Sequence, residues 1–390
     1  GIRNWVDLPE GYWSEEGKAK IEIWNQSVAE TIEHNNEIIS SLTLEDFAPQ
    51  MYENVESGVF VYPASSQDCS EYSASEYSAG RGFTTIMTLD LFGDDLEMEV
   101  DHITSSWAHV YSSQDMLILA EPANDWWWFW RNSDWDDATN IHSFDISEPG
   151  YTQYIGSGRV DGTVQDQFSI SEFEGSVRIA STSDAWARWW LLDEVDENGE
   201  PIWNGPTNQV SILQPNEEGE LEQIGFIGSI AEGETIWSAR FVADRGYLVT
   251  FENVDPLWVI DLSDPTNPVI LGELEVPGVS TYIHPVNENT LLTIGIGPGE
   301  DGLGLDWSTT QISLFDISDP TNPTLADSLP ISPVNVDENC EDVGGCGWSW
   351  SWSEATYEHK AFTYWAPDDL LAVPLSTYRY FYDQNDGYGG

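Results

Sequence analysis

Basic side chains are scarce in this sequence. Its 390 residues include 12 Lys and Arg against 69 Asp and Glu, which gives a formal net charge of −57 at pH 7. Nucleic acids and anionic membrane surfaces are bound by clustered Lys and Arg, so this composition disfavours both as partners. A surface this negative attracts cations, and Ca²⁺, transition metals and basic proteins are therefore the expected partners. Adaptation to high salt, as in halophilic proteins, is a second interpretation, and the two are compatible.

Long apolar runs and cysteines are also few. No stretch of 18 apolar residues occurs, so we expect no membrane span. The first residue is Gly1 rather than Met, which indicates a processed or trimmed chain whose targeting signal has been removed. Of the three cysteines, Cys69, Cys340 and Cys346, the last two enclose a short loop and form a candidate disulfide in an oxidising compartment. The alternative is three reduced, buried thiols.

Common catalytic motifs are missing. The sequence contains no Gly-x-Ser-x-Gly elbow, no His-Glu-x-x-His pair and no Gly-Lys-Ser/Thr phosphate loop. Residues 297–302 fit the glycine spacing of a dinucleotide-binding turn, but no helical pattern follows and two acidic residues stand where phosphates would approach. We interpret that segment as a loop. These absences favour a protein without catalytic activity.

One helical pattern occurs, near the start of the chain. Apolar residues recur at spacings of three and four up to about residue 41, which indicates an amphipathic helix with Ser14 as its candidate N-cap. The residues of this stripe are Ile21, Trp24, Val28 and Ile32. Beyond the helix, short β-type runs alternate with turn residues, as in sandwiches, barrels and propellers. We therefore divide the chain into a helical segment, residues 1–48, that packs on a β domain, residues 49–390.

An internal repeat distinguishes among these architectures. Trp258–Pro268 returns as Ser313–Pro323 after 55 residues, and looser copies lie at Thr88–Leu91, Phe144–Pro149 and Val210–Pro215. Each copy joins alternating apolar residues to an Asp or Ser that closes a turn, and in most copies to a proline that ends the strand ladder. With roughly four strands per ~50 residues, the repeat predicts an all-β fold, a β-propeller of four-stranded blades with at least five repeats.

A family resemblance is carried by an ordered series of segments between about Phe83 and Pro374. The segments are Ile141–Phe144, Gln167–Ile170, Val177–Thr182, Trp237–Phe241, Asp255–Pro265, Ser280–Pro285 and His359–Phe362. In this order they resemble the secreted β-propeller-domain family of bacteria and archaea, which is distantly similar to WD-type repeats. The resemblance implies an extracellular or cell-surface propeller and carries over no reaction. Members of that family extend beyond both ends of this chain.

Three histidines fall within these segments: His142, His284 and His359. If they belong to different blades and point toward the propeller axis, they would converge on a transition metal, because neutral imidazoles suit copper or zinc. The alternative is that each is a hydrogen-bonded residue of its own blade. Sequence spacing alone does not place them on one axis.

Acidic turns supply calcium candidates, because Ca²⁺ takes six to eight oxygen ligands and the chain must bend sharply between them. The candidate ligands are Asp134, Asp136, Asp137, Asp196, Asn198, Asp383 and Asn385. None of these turns matches the full EF-hand pattern. In a chain with 69 acidic residues such clusters also arise from composition, so solvated turns are the alternative.

Tryptophan is abundant, with 20 residues. Two groups stand out as candidates for partner binding: Trp126, Trp127, Trp128 and Trp130, and then Trp348, Trp350 and Trp352. The second group alternates with serine, so in a strand its three indoles share one face. Exposed rings of this kind stack on sugars or hold a protein partner, whereas the alternative is packing between blades.

Three hypotheses for function remain. The first is a secreted, non-catalytic module that binds cations and a protein partner, or copies of itself, through its acidic surface and Trp-rich loops. The second is a copper-dependent redox enzyme with the three histidines on the axis. The third is a glycan-binding lectin whose stacking platform is formed by the Trp-rich loops.

Overall fold

The computed structural model describes residues 1–43, 46, 50–63, 71–75, 82–91, 98–123, 137–184, 205–251, 255–299, 302, 304–331 and 348–380. Within these ranges, one long helix precedes a series of β-sheets that follow one another along the chain.

The helix α1 spans Gly17–Ser41 and follows a short 3-10 turn at Tyr12–Ser14. Its N-cap residue is Glu16 rather than Ser14, because the backbone is extended at Glu16 and the regular helix begins only after it. No helix among the described residues has both the length and the apolar character needed to cross a membrane.

The segment before α1 folds back along the helix. The backbone N–H of Arg3 donates to Asn35 Oδ1 at 2.8 Å, and Asn35 Nδ2 donates to the carbonyl of Arg3 at 2.9 Å. Ile21, Trp24 and Ile32 of the apolar stripe are exposed in this arrangement. The expectation that residues 1–48 pack on the β domain stays a prediction.

Two small sheets come next. A hairpin joins β1 (Gln50–Val55) to β2 (Gly58–Pro63). A three-stranded sheet is built from β3 (Tyr72–Ser73), β4 (Gly82–Leu89) and β5 (Met98–Ser105) in the order β3-β5-β4.

Four complete four-stranded sheets form the body of the molecule, and in each the strands pair antiparallel in chain order. The first contains β6 (His109–Ser112), β7 (Met116–Pro122), β8 (Ala138–Asp145) and β9 (Gln153–Asp161). The second contains β10 (Ile170–Phe173), β11 (Ser176–Ser183), β12 (Thr207–Pro215) and β13 (Leu221–Ile230). The third contains β14 (Thr235–Val242), β15 (Arg245–Phe251), β16 (Asp255–Asp261) and β17 (Val269–Val276). The fourth contains β18 (Val279–Asn287), β19 (Thr290–Pro298), β20 (Leu305–Asp316) and β21 (Thr324–Ile331).

The last described unit consists of two nested pairs. β22 (Trp348–Trp352) pairs with β25 (Ser376–Tyr380), and between them β23 (Thr363–Trp365) pairs with β24 (Leu370–Ala372).

The turns of the sequence repeat have the predicted structure. The side chains of Asp145, Asp261 and Asp316 each accept the backbone N–H two residues later, at 2.8, 2.9 and 2.9 Å. These aspartates end β8, β16 and β20, the third strands of their sheets, and the degenerate copy near Val210 forms the third strand β12. The prediction of four-stranded blades is confirmed by this register.

The hydrophobic core lies between sheets. Five buried clusters each join one sheet to its successor, because both faces of an inner sheet must be covered by a neighbour. Along the chain, these clusters contain Ile103 with Phe144, Ile141 with Ile179, Ile212 with Leu248, Val259 with Phe315, and Ile294 with Phe362.

Fourth strands also touch the next sheet directly. A Cβ atom on Gly225 of β13 would lie 2.0 Å from the carbonyl oxygen of Pro265, in the repeat turn of the following sheet. A Cβ atom on Gly272 of β17 would lie 2.5 Å from the carbonyl oxygen of Pro320, in the next copy of that turn. Glycine at these positions therefore permits the close approach of successive sheets.

Candidate functional site

The first strands of the complete sheets meet at the centre of the molecule. β14 contacts β18, and β6 contacts β10. Two 3-10 turns, Gln167–Ser169 and Glu354–Thr356, adjoin these inner strands. Side chains from distant parts of the sequence therefore line common cavities, in the region where a propeller has its central channel.

An aromatic cleft opens beside this channel. We define it by Trp237, Trp307, Trp352, Tyr357 and Asp166, which line a cavity of about 480 Å³. The threonines that add to its lining are Thr281, Thr309, Thr310 and Thr356. The cleft thus combines broad apolar rings with hydroxyl groups and one carboxylate.

The four rings form two pairs. The ring centroids of Trp237 and Trp307 lie 6.1 Å apart with a 47° angle between their planes. Those of Trp352 and Tyr357 lie 5.5 Å apart with a 24° angle, which is a stacked arrangement. Trp307 is 68% exposed in the first pair, and Tyr357 and Trp352 are 65% and 45% exposed in the second, so each pair presents aromatic surface to solvent.

Local hydrogen bonds hold the exposed ring of each pair. Asp306 Oδ1 accepts the backbone N–H of Ser308 at 2.9 Å and thereby fixes the chain on both sides of Trp307. Ser353 Oγ accepts the N–H of Ala355 at 3.3 Å and caps the 3-10 turn that precedes the tyrosine. The backbone that carries these rings is therefore fixed by turns of known geometry.

A second cavity, of about 560 Å³, adjoins the cleft and extends along the channel. Its lining includes His109, Phe168, Tyr282 and His359, and it shares Asp166 with the cleft. His359 packs its edge against Phe168 at a centroid distance of 4.8 Å. The cleft and the channel are thus lined in part by the same residues.

Burial sets the ionisation of the groups in this second cavity. It lowers the pKa of His109 and so favours the neutral imidazole, although the nearby carboxylate of Asp166 opposes the shift. Burial also raises the pKa of Asp166, against hydrogen bonds that its carboxylate accepts from the N–H groups of Phe168 at 2.8 Å and Ser169 at 3.1 Å. Gln167 Nε2 lies 3.0 Å from His359 Nε2. Because an amide nitrogen only donates, the imidazole nitrogen is the acceptor of this hydrogen bond.

The three histidines considered as metal ligands lie in two places. His142 on β8 is fully buried, with Nδ1 2.5 Å from Ser157 Oγ and Nε2 3.2 Å from Glu121 Oε2, so both ring nitrogens have partners within its own sheet. His284 and His359 lie near one tyrosine ring of β18, each 6.5 Å from it between ring centroids. His284 and His359 thus lie in the same region, whereas His142 lies inside its own sheet, away from them.

Among the predicted calcium ligands, Asp137 is described. Its Oδ2 accepts the backbone N–H of Asp184 at 2.6 Å, and burial raises its pKa. The described ranges contain no group of three or more His, Cys, Asp or Glu side chains arranged to hold a metal ion. The other calcium candidates, Asp134, Asp136, Asp196, Asn198, Asp383 and Asn385, lie outside the described residues.

The predicted tryptophan ladder is part of β22. Trp352, at its end, belongs to the aromatic cleft, whereas Trp350 packs edge-on against Tyr378 at 5.2 Å and is 37% exposed. Trp348 begins the strand. The other group, Trp126, Trp127, Trp128 and Trp130, and the candidate disulfide Cys340–Cys346 lie outside the described residues.

Several site residues were not predicted from the sequence. Trp237, Trp307, Tyr357 and His109 are separated by long stretches of chain and meet only through the arrangement of sheets. For Trp237 one signal existed, because it begins an apolar run just before a clear repeat. Trp307 follows a glycine-rich loop and offered no comparable signal.

Successive four-stranded antiparallel sheets, with cavities where their first strands meet, are the architecture of a β-propeller. The family described as Beta propeller domain matches residues 18–390, and the chain belongs to this family.

Two archaeal relatives share parts of the sequence. The chain is 36% identical to an uncharacterised protein of Methanocaldococcus jannaschii over 193 residues, which are 50% of this chain and 25% of that protein. It is 29% identical to an uncharacterised protein of Archaeoglobus fulgidus over 259 residues, which are 65% of this chain and 34% of that protein. The chain therefore spans about a quarter to a third of the length of these relatives.

Proposed function

We propose that this propeller is a non-catalytic binding module and that the aromatic cleft binds a glycan. The observation that carries the proposal is the pair of exposed rings, Trp307 and Tyr357, that line one cavity of about 480 Å³. This is the third of the functions considered from the sequence. The cleft takes the place of Trp348, Trp350 and Trp352 as the stacking platform.

The lining of the cleft suits a sugar. Faces of pyranose rings carry C–H groups that pack on aromatic rings, and their hydroxyl groups need donors and acceptors at the rim. Thr281, Thr309 and Thr356 line the cleft, and because each hydroxyl already donates within the protein, its oxygen serves as an acceptor for a sugar hydroxyl. Asp166 is the one carboxylate among the described residues of the lining, and its Oδ1 accepts two backbone N–H groups, which fixes its orientation toward a ligand.

We place this module outside the cytoplasm, where glycans are exposed and where Cys340 and Cys346 would form a disulfide. The net charge of −57 supports the further proposal that the surface concentrates cations around the molecule. Labelling of intact source cells with a membrane-impermeant reagent tests the location, and protection of the chain until lysis would contradict it.

A glycan array followed by titration calorimetry tests the binding proposal. We expect the wild-type chain to select a defined set of glycans, and Trp307→Ala to weaken binding by about tenfold or more, which equals roughly 1.4 kcal/mol. Trp307 is 68% exposed, so its removal leaves the core intact.

Trp365→Ala is the matched control, because Trp365 is 57% exposed and lies on β23, outside the lining of the cleft. It should bind as the wild type does. The proposal fails if no glycan binds at millimolar concentration, or if both tryptophan variants lose affinity equally.

A further inference from the structure

A third cavity lies along the channel and has a different character. Its volume is about 390 Å³, and its lining includes Arg240, Gln167, Phe168, Ser171 and Tyr111. In a chain with only 12 basic residues, a guanidinium group facing a central cavity calls for an explanation.

Arg240 is half-buried on the inner strand β14. Its guanidinium carbon lies 4.8 Å from the ring centroid of Phe168, in a cation–π contact. Among the described residues, no carboxylate forms an ion pair with it and no hydrogen bond occupies its five N–H groups. The planar fork of this side chain is thus held in place with its donors unused.

A second arginine, Arg178, contacts the cavity lining from the protein interior through Ser171. Arg178 is 4% exposed, and its side chain donates to the carbonyl of Ala243 and, at 2.8 Å, to Ser171 Oγ. Its Nε has no hydrogen-bond partner among the described residues. The rings of Phe173 and Phe241 flank its guanidinium at 4.9 and 5.2 Å.

The charge of Arg178 persists although it is buried. Desolvation lowers its pKa to about 10, which leaves the group cationic at pH 7. The nearby charges of Tyr111, Glu172 and Asp244 oppose this shift, whereas removal of the cation from water disfavours its charged form. Ser171 Oγ, at the cavity wall, accepts from Arg178 and donates to the carbonyl of Glu172 at 3.4 Å, so it links the buried cation to the cavity.

We propose that this cavity binds a carboxylate group, with Arg240 as the residue that contacts it. A guanidinium fork pairs with a carboxylate through two parallel N–H···O bonds, which is the geometry that the unused donors of Arg240 offer. Arg178, which donates to Ser171 of the cavity wall, adds positive potential beside it. The acidic surface does not prevent this binding, because charges farther away than roughly 8 Å are screened at physiological salt.

The carboxylate belongs either to a free small acid or to an acidic side chain of a protein. Titration calorimetry with sodium succinate, and separately with a short peptide that contains one glutamate and has blocked ends, distinguishes these sources. Both titrations are run at constant ionic strength, with chloride as the reference anion. We expect saturable binding in at least one of them.

Arg240→Gln should weaken this binding by about tenfold or more, since it removes the charged donor of the pair. Arg245→Gln is the control, because it removes the same charge from β15 outside the cavity lining, and it should bind as the wild type does. Circular dichroism shows whether each variant is folded. Absence of saturable binding, an equal response to chloride, or undiminished binding by a folded Arg240→Gln variant would overturn the proposal.

Discussion

Asp101 lies on β5 of the three-stranded sheet, in an environment that disfavours its charge. Burial raises the pKa of this carboxyl to about 6, with further contributions from the charges of Glu99 and Glu71. Its Oδ2 is buried without a hydrogen-bond partner among the described residues. The folded chain therefore binds a proton at Asp101 more tightly than the unfolded chain does.

The sign of the resulting pH dependence follows from this raised pKa. The contribution of protonated Asp101 is fully present below the unfolded pKa of about 3.9 and is lost as the pH rises through the folded value. We expect Asp101→Asn to melt at a higher temperature than the wild type at pH 7.5, and the difference to disappear near pH 4. Thermal unfolding followed by circular dichroism measures both.

Asp115→Asn serves as the control for Asp101→Asn, because Asp115 lies in the exposed turn before β7. Its melting temperature should follow that of the wild type at both pH values. A stabilisation by Asp101→Asn that is the same at pH 4 and pH 7.5 would show that the charge of Asp101 is not its cause.

At the scale of residues, contacts between near neighbours in the sequence were predictable. The meeting of residues that are far apart in the sequence was not. The turns closed by Asp261 and Asp316 were readable, because an Asx turn depends on neighbours two positions away. The cleft was not, since Trp237 and Trp352 are 115 positions apart and become neighbours only through sheet order. The same holds for the hydrogen bond between Gln167 and His359.

At the scale of elements, the close contact between a fourth strand and the following repeat turn gives a direct prediction. Gly225→Ala would place a methyl group 2.0 Å from the carbonyl oxygen of Pro265, so the two sheets must separate or distort. We expect a loss of about 1–3 kcal/mol in the free energy of unfolding, the usual effect of overpacking. Urea denaturation measures it.

Gly82→Ala is the counterpart for Gly225→Ala, because the nearest atom to a Cβ at Gly82 is 3.8 Å away. It should change stability by less than about 0.5 kcal/mol. Equal stability of the two variants would mean that successive sheets adjust to the methyl group without strain.

The elements themselves were predictable wherever the repeat was clear. The period of 55 residues located β16 and β20. In each copy an apolar alternating run is followed by an Asp-Pro turn, a pattern that predicts the end of a strand. The last unit was harder to predict. Its strands β23 and β24 have three residues each, too few for an alternating pattern to emerge.

At the scale of the whole molecule, the net charge of −57 works against compactness. Screening of this self-repulsion should raise the melting temperature as NaCl increases from about 0.01 M to about 1 M, over which the Debye length falls from roughly 30 to 3 Å. A series of sucrose concentrations is the control. Sucrose is excluded from the protein surface but does not screen charges, so it shows how much of the rise in melting temperature is due to exclusion alone. A melting temperature that is the same at both salt concentrations would contradict it.

The placement of the apolar clusters between sheets has a consequence for how such a chain can change in length. Excision of one sheet from the middle forces two faces to meet that were never shaped for each other. Duplication of one sheet keeps both of its original interfaces but likewise creates one new junction, between the two copies. A chain built in this way therefore changes in length by whole sheets, and each change must fit one new interface, including a close approach like that at Gly225.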